Sequence, residues 1–380
     1  MPASASAQSV AAPSLEVRVL PAVNFDSDEG FGYGVLAELY NYGAGGVEPY
    51  LWTIQPTVFL TSKGRRDLML FFDSPHALPG GWRLTGFVGS EKQVATPYYG
   101  LGNETTYDET LDAESGPNPR YYRFGRSRNS ASFSLQRSLG ETPIRFLFGG
   151  GIERTEVVPV PEETVTTLFA TEFGTDEESL WSNYVRAGLV YDTRDRETGT
   201  RSGSWTDVLV QWVDESLGAD FGATRWTFTD RRYVPLGDRL VFAHRYLLQD
   251  VSAGAPAYEL FRVETSFKQQ EGLGGAKTVR GLPKNRFVGR GMLVWNAELR
   301  WRVADFTVAG RDLHTVLSAF LDQGRVWRDG IQAHELLSDL HRGYGGGLRV
   351  GIGENFVVAL DVGTSRSGGK PLYLGLGYLY

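Results

Sequence analysis

The chain contains no cysteine. That absence suits a compartment in which stray thiols would be oxidised, and it removes thiolates from any metal site. Across 380 residues there is no apolar run near the roughly 18 residues of a membrane-spanning helix. With a mean hydropathy of -0.25, a helical membrane protein is excluded, whereas a strand-built one, which hides its apolar half by alternation, is not. Clusters of Lys and Arg are also missing, and the net charge is -7, which argues against a nucleic-acid partner. No Pro- or Ser-rich linker divides the chain, because turn signals recur evenly along it, so one large sheet is the simpler expectation than two or three soluble domains.

What is present is glycine and aromatic residues: 47 Gly, 21 Phe, 18 Tyr and 9 Trp. The segment 291–303 alternates with a period of two. Leu293, Trp295, Ala297, Leu299, Trp301 and Val303 share one face, while Val294, Asn296, Glu298, Arg300 and Arg302 share the other. Trp outside with Glu and Arg inside is the pattern of a membrane barrel whose lumen is polar. The segment 203–214 repeats it, with Thr206, Val208, Val210 and Trp212 against Trp205, Asp207, Leu209 and Gln211. Candidate strands fall near 15–25, 30–41, 49–61, 66–74, 80–92, 121–138, 143–156, 180–192, 203–214, 222–234, 239–251, 291–303, 313–325, 343–352, 355–364 and 371–380, sixteen in all. The long connections (93–120, 157–179, 252–290 and 326–342) all follow odd-numbered strands, and those after even-numbered strands are mostly short. Long loops therefore gather on one rim and short turns on the other, with the first and last strands opening and ending on the short-turn side. The expected fold class is all-β: a transmembrane antiparallel barrel of about 16 strands in the outer membrane of a Gram-negative-type bacterium. Within 326–342, Ile331, Leu336, Leu337 and Leu340 suggest a short helix.

Residues 1–14, with the small-residue run Ala3 to Ala7, read as a disordered tail or the remnant of a secretory signal, leaving 15–380 as the barrel domain. The five histidines, His76, His244, His314, His334 and His341, show no metal-ligand spacing, and Ser318 with His244 makes no nucleophile–base pair because the two face opposite sides of the wall. No enzyme, no metal and no cofactor are expected. Gly272 to Gly275 and Gly343 to Gly347 lack the context of a phosphate loop and read as a loop hinge and as small lumen-facing positions. The loops near 104–114 and 162–178 are acidic (Glu104, Asp108, Glu109, Asp112 and Glu114; Glu162, Glu163, Glu172, Asp176, Glu177 and Glu178) and are expected to stay wet. A sharper reading of them is a divalent cation bridging these carboxylates to lipopolysaccharide phosphates.

The chain ends in a strand, 371–380, in which Leu372, Leu374, Leu376, Tyr378 and Tyr380 are expected to point outward. Its Tyr373, Gly375, Tyr378 and Tyr380 resemble the terminal assembly signal of outer-membrane barrels, and an extended strand of this kind adds to another sheet edge to edge. Four further motifs carry a resemblance over nearly all of the chain. They are Tyr191 to Asp195, Gly275 to Leu282 with its Val279-Arg280-Gly281 tip, Asn296 to Arg300, and Ala319 to Trp327 with Asp322 and Gly324. Together they resemble the BamA/TamA family of the bacterial surface-antigen superfamily. That resemblance implies a sixth loop folded back into the lumen, with Arg280 set against Glu298 and Asp322. Alternation by itself already puts both carboxylates inside, where they repel one another and favour a forked cation. The residues alone also allow a solvated Arg280, with Glu298 paired to Arg300 or Arg302 along its own strand.

The resemblance implies insertion or translocation of polypeptide or lipid through a weak seam between the first and last strands, where Gly377 and Tyr378 lie. It further implies barrel-assembly machinery for the chain's own insertion, and outer-membrane lipid and lipopolysaccharide as surroundings. The first strand begins near Leu15, so the resemblance is to a barrel-only member, or to a piece of a longer chain. A structural or passive pore-forming barrel is the alternative.

Overall fold

Residues that alternate in character build strands whose two faces meet different solvents, and this chain does so along almost its whole length. The computed structural model describes residues 14–26, 30–44, 47–112, 118, 120–160, 166–268, 270–353, 355–366 and 369–380. The tail expected at 1–14 lies, but for Ser14, outside the described residues, as do Glu114, Glu162 and Glu163 of the acidic loops.

The strands are β1 (Leu15–Asp26), β2 (Gly30–Asn41), β3 (Trp52–Thr61), β4 (Arg66–Leu78), β5 (Trp82–Pro97), β6 (Arg123–Ser138), β7 (Ile144–Val158), β8 (Glu178–Trp181), β9 (Tyr184–Asp192), β10 (Gly203–Val213), β11 (Ala223–Pro235) and β12 (Leu240–Val251). After the sixth loop come β15 (Gly291–Val308), β16 (Arg311–Trp327), β17 (His341–Ile352), β18 (Phe356–Ser365) and β19 (Leu372–Leu376). β13 (Arg262–Val263) and β14 (Gln270–Glu271) form a small ribbon inside the loop. β8 and β9 both pair with β7 and make one wall strand interrupted at Ser182 and Asn183, so the wall has sixteen crossings. Each crossing pairs antiparallel with the next, from β1 through to β19. Among the described residues no ladder joins β19 to β1.

Burial is inverted relative to a soluble sheet. Val19, Leu70, Phe148, Ile152, Trp212, Trp295, Leu299, Trp301, Leu317 and Leu374 are exposed on the outer face. Asp73, Glu153, Asp207, Arg231, Arg245, Asn296, Glu298 and Asp322 are buried on the inner one. Apolar outside and ionic inside is the arrangement that lipid and a polar lumen demand. No helix among the described residues is long and apolar enough to cross a membrane.

Three departures from the sequence reading stand out. β15 and β16 run on to Val308 and from Arg311, with a bulge between Arg302 and Ala304, so that hairpin is longer than the alternation suggested. In 326–342 the helical turn is a single 3-10 turn at Ala333–Glu335, just before the leucines expected to form it. The last strand stops at Leu376 rather than at 380, because Gly377 adopts a left-handed φ of 75° that turns the chain out of the sheet. On the long-loop rim, Tyr98, Phe124, Phe169, Tyr258, Phe261 and Val288 make an apolar cluster that ties three long loops together.

Candidate functional site: a loop tip seated in the lumen

The sixth loop enters the lumen because its own sequence folds into a knot with one charged point. The Thr278 hydroxyl accepts from Gly274 N at 2.8 Å and contacts the carbonyls of Gly272 and Gly274, closing a tight hairpin base. Gly274 and Gly275 have φ of 112° and 86°, which only glycine adopts at little cost. Val279 is fully buried with Leu273, Leu282, Phe287, Met292, Val294 and Val326. Gly324 makes room for this cluster, since a Cβ there would lie 2.5 Å from Leu273.

Arg280 then projects from the tip into a pocket of carboxylates. Its Nε and Nη2 fork onto Asp322 at 2.8 and 3.1 Å, and its backbone N–H donates to the same carboxylate at 3.1 Å. Nη1 donates to Glu298 at 3.2 Å and to Asp361 at 3.1 Å. The guanidinium lies 3.5 Å from the centroid of Phe320, and Arg280, Glu298 and Asp322 are each essentially without solvent contact. Arg300 donates to Glu298 at 2.9 Å, and Arg349 forks onto Asp361 at 2.6 and 3.0 Å. Three guanidiniums thus meet three carboxylates, and the buried charges balance. Burial opposes the charge on Arg280, but Asp322, Glu298 and Asp361 outweigh it and hold the group protonated above its usual range.

The neutral frame is equally specific. Asn296 donates to Asp322 at 2.8 Å and to the Thr278 carbonyl at 2.6 Å, while Arg245 holds Asn296 at 2.9 Å and the Lys277 carbonyl at 2.7 Å. Gly281 N donates to the Tyr373 hydroxyl at 3.0 Å, and the Ser365 hydroxyl donates to the Gly281 carbonyl at 2.8 Å. A Cβ on Gly281 would meet the Thr364 backbone at 2.5 Å, and one on Gly343 would meet the Arg280 carbonyl at 1.8 Å. Gly343 therefore faces the lumen at the place where the loop backbone lies against the wall, and Gly346, on the same face of β17 as the exposed Tyr344, points outward.

The structure brings Arg280 together with both carboxylates the sequence reading named. Glu298 also contacts Arg300, so the along-strand pair and the loop pair coexist. Sequence reasoning missed Asp361, although its inward position on β18 follows from alternation. It also missed a second ion cluster at the rising limb of the loop. There Arg262 donates to Glu153 at 2.9 Å and Glu264 at 2.7 Å, Arg225 donates to Glu259 at 2.9 Å, and Arg186 donates to Glu264 at 3.2 Å. Nothing in the spacing along the chain marks these partners.

The residues of the terminal strand separate into two groups. Tyr373 faces inward against the loop tip, and Gly375 lies in β19 with open space around it. Tyr378 and Tyr380 do not point outward as expected. Past Gly377 the chain enters the lumen, where the Tyr380 hydroxyl donates to the Ala243 carbonyl at 3.0 Å and Arg300 donates to the Tyr380 carbonyl oxygen at 3.2 Å. Arg300 lies 4.5 Å from the Tyr378 ring centroid and 5.1 Å from that of Tyr380. The physical reason is the Gly377 turn together with a seat that offers cations to aromatic faces and apolar contact with Tyr233, Val241 and Ala243.

The barrel is similar to the crystal structure of BamA from Haemophilus ducreyi lacking POTRA domains 1-3, at 13% identity and a TM-score of 0.55, over 95% of this chain and 69% of that one. It is likewise similar to CdiB from Escherichia coli, at 12% identity and a TM-score of 0.55, over 97% of this chain and 61% of that one. At such identities the likeness concerns the fold. No curated protein matches the sequence. Residues 59–362, however, match the Omp85 superfamily domain, and the chain belongs to that superfamily of outer-membrane β-barrels.

Proposed function

We propose that this barrel inserts or translocates polypeptide at the outer membrane, with the edge between β1 and β19 as the working surface and the seated sixth loop as the internal brace. Omp85 barrels are transporters or insertases of polypeptide rather than enzymes, and they work with client polypeptides or partner lipoproteins. The observation that carries the reading is the short last strand. β19 pairs with β18 over five residues, from Leu372 to Leu376, and has no ladder to β1 among the described residues. Unpaired N–H and C=O groups facing hydrocarbon cost several kcal/mol each by order of magnitude, so such an edge favours any strand that completes it. An arriving polypeptide in extended form supplies that strand by edge-to-edge addition. Residues 15–380 act in this reading as the whole membrane domain, and β19 doubles as the signal by which the barrel is itself assembled.

A passive pore is the competing reading. It is disfavoured by a lumen in which the loop tip, its ion network and the Tyr378 and Tyr380 rings occupy the path. Depletion of the protein in its native host, followed by quantitation of the other barrels and of secreted polypeptides, separates the two. A fall in either supports the proposal, and unchanged levels of both sink it.

A further inference from the structure

The outward face of β3 to β8 carries a feature that neither the loop lock nor the seam uses: an open apolar groove of about 720 Å³ beside three cations. Its walls are Leu68 and Leu70 of β4 on one side and Ile152 of β7 with Trp181 of β8 on the other, and small side chains, Ser90 and Ala131, make its floor. Leu70, Val88, Ala131 and Ile152 are partners in register across four strands, so the groove lies on the lipid-facing side of the wall. Its height in the membrane follows from β5. From Trp82, beside a short turn, to Lys92 the strand rises about 33 Å along its own axis, or about 25 Å across a tilted wall, which is the height of the apolar band. Lys92 therefore stands at the long-loop boundary of the band, at the headgroups of the outer leaflet.

The cations supply an independent pointer. Arg66 of β4 stands directly opposite Lys92 of β5 in the ladder, and both are exposed. Like charges so placed destabilise a sheet unless an anion lies between them, and no side chain offers one. Among the described residues Lys92 makes no hydrogen bond or ion pair, and Arg66 reaches only the Ser90 hydroxyl, at 3.5 Å. Arg154 of β7 is held through Nε by the Ser179 hydroxyl at 2.9 Å and lies 5.6 Å from the Trp181 ring centroid, which leaves both Nη groups without an acceptor among the described residues. Asp67, Glu91 and Glu153 alternate to the lumen side, and Glu156, outward on β7 next to Arg154, pairs with none of the three cations. Elsewhere the wall differs. The outward faces of β10, β11 and β12 end toward the same rim in Trp212, Thr224 and Asp250, without a cation.

Neighbouring strands lie about 4.8 Å apart, so the Arg66 and Lys92 pair and Arg154 present two positive points about 10 to 14 Å from one another. A glycerophospholipid brings one phosphate and covers one of them, whereas a headgroup with two phosphates covers both. We infer that this stretch of outer wall binds a bisphosphorylated, multiply acylated glycolipid of the outer leaflet, the anchor of lipopolysaccharide. An acyl chain fills the groove between Leu70 and Ile152, one phosphate lies on Arg66 and Lys92, and the other lies on Arg154. Long Arg and Lys stems run along the apolar wall and hold their charged heads at headgroup level. The inference stands apart from the polypeptide reading, since it requires only the folded barrel.

Native mass spectrometry of the detergent-solubilised barrel, titrated with diphosphoryl lipid A, tests it, with monophosphoryl lipid A and phosphatidylglycerol as comparison lipids. One diphosphoryl lipid is expected per barrel at saturation, bound at least about tenfold more tightly than either comparison lipid. Arg66→Gln combined with Lys92→Gln, and Arg154→Gln alone, are each expected to weaken it by about tenfold. Ala131→Phe, which fills the floor of the groove and leaves every cation in place, is expected to weaken it by a similar factor. Arg232→Gln, an outward cation near the short turns, is expected to leave it unchanged. Heat-dependent gel mobility shows that each variant is folded, and if Ala131→Phe does not fold, the cation variants carry the test alone. Equal retention of the three lipids, retention that rises without saturating, wild-type affinity in the cation variants or in folded Ala131→Phe, or an equal loss in Arg232→Gln overturns the inference.

Discussion

Arg280 is the residue on which the seated loop depends most directly, because its removal leaves three inward carboxylates with only Arg300 and Arg349 to balance them. Breaking a buried pair from one side costs about 3–5 kcal/mol, so Arg280→Ala is expected to lower the heat-unfolding midpoint and expose the loop to protease. Arg280→Lys restores the charge but not the fork, and should recover only part of the loss. An unchanged midpoint and an unchanged digestion pattern in Arg280→Ala would tell against the pairing. Next to it, Lys277 projects into the lumen and keeps contact with solvent there, while the surrounding wall and then the nearby cations Lys268, Arg245 and Arg349 push its ammonium down to about 8. The released loop has the ordinary lysine value of about 10.5, so the released form binds the proton first as pH falls. The seated state is therefore expected to weaken between about pH 10.5 and 8 and to level off below. Lys277→Met should flatten that part of a digestion-rate profile, and identical profiles for the two proteins would refute the assignment.

At the scale of strands and loops, the wall was readable because side-chain period is a local property: alternation located all sixteen crossings, with β15 and β16 longer and β19 shorter than expected. Glu298 and Asp322 were legible as inward by the same rule, while their partner on the loop came from the resemblance of its tip motif. Asp361 was assignable to a face but not to a partner, and the cluster around Arg262, Glu153 and Glu264 needed three dimensions, since it joins positions as much as 109 residues apart. Tyr378 and Tyr380 were misplaced because alternation holds only while a strand continues, and a single glycine at 377 ends it. Two tests belong here. Gly343→Val should unseat the loop with every charge intact, since its side chain would fall on the Arg280 carbonyl; protection of the loop equal to wild type would contradict the close approach. In this cysteine-free chain, Tyr380→Cys should react slowly with a bulky maleimide, and adding Gly377→Val, which disfavours the left-handed turn, should speed it. Equal rates would mean that the turn does not hold the tail inside.

Taken whole, the molecule is a wall whose interior is crossed by structure from both rims: the sixth loop from the long-loop side, and the residues after Gly377 near the short-turn side. Both narrow the lumen, which keeps a cavity of about 600 Å³ lined by Glu38, Arg83, Lys277 and Tyr380, so reduced conductance in planar bilayers is expected of the intact barrel. Excision of 266–284 with a short linker should raise it markedly, and a high, loop-independent conductance would be evidence for an open pore.

The seat for Arg280 is assembled from β15, β16 and β18, all of which follow the loop in the chain, and Asp361 lies 81 residues after the arginine it holds. In the folding barrel the bolt therefore precedes the last part of its keeper along the chain. Until the final hairpins arrive the cation has no complete set of acceptors, and a barrel truncated before β18 lacks Asp361 altogether. The same ion network that braces the mature lumen thus makes complete seating of the loop conditional on β18 being in place.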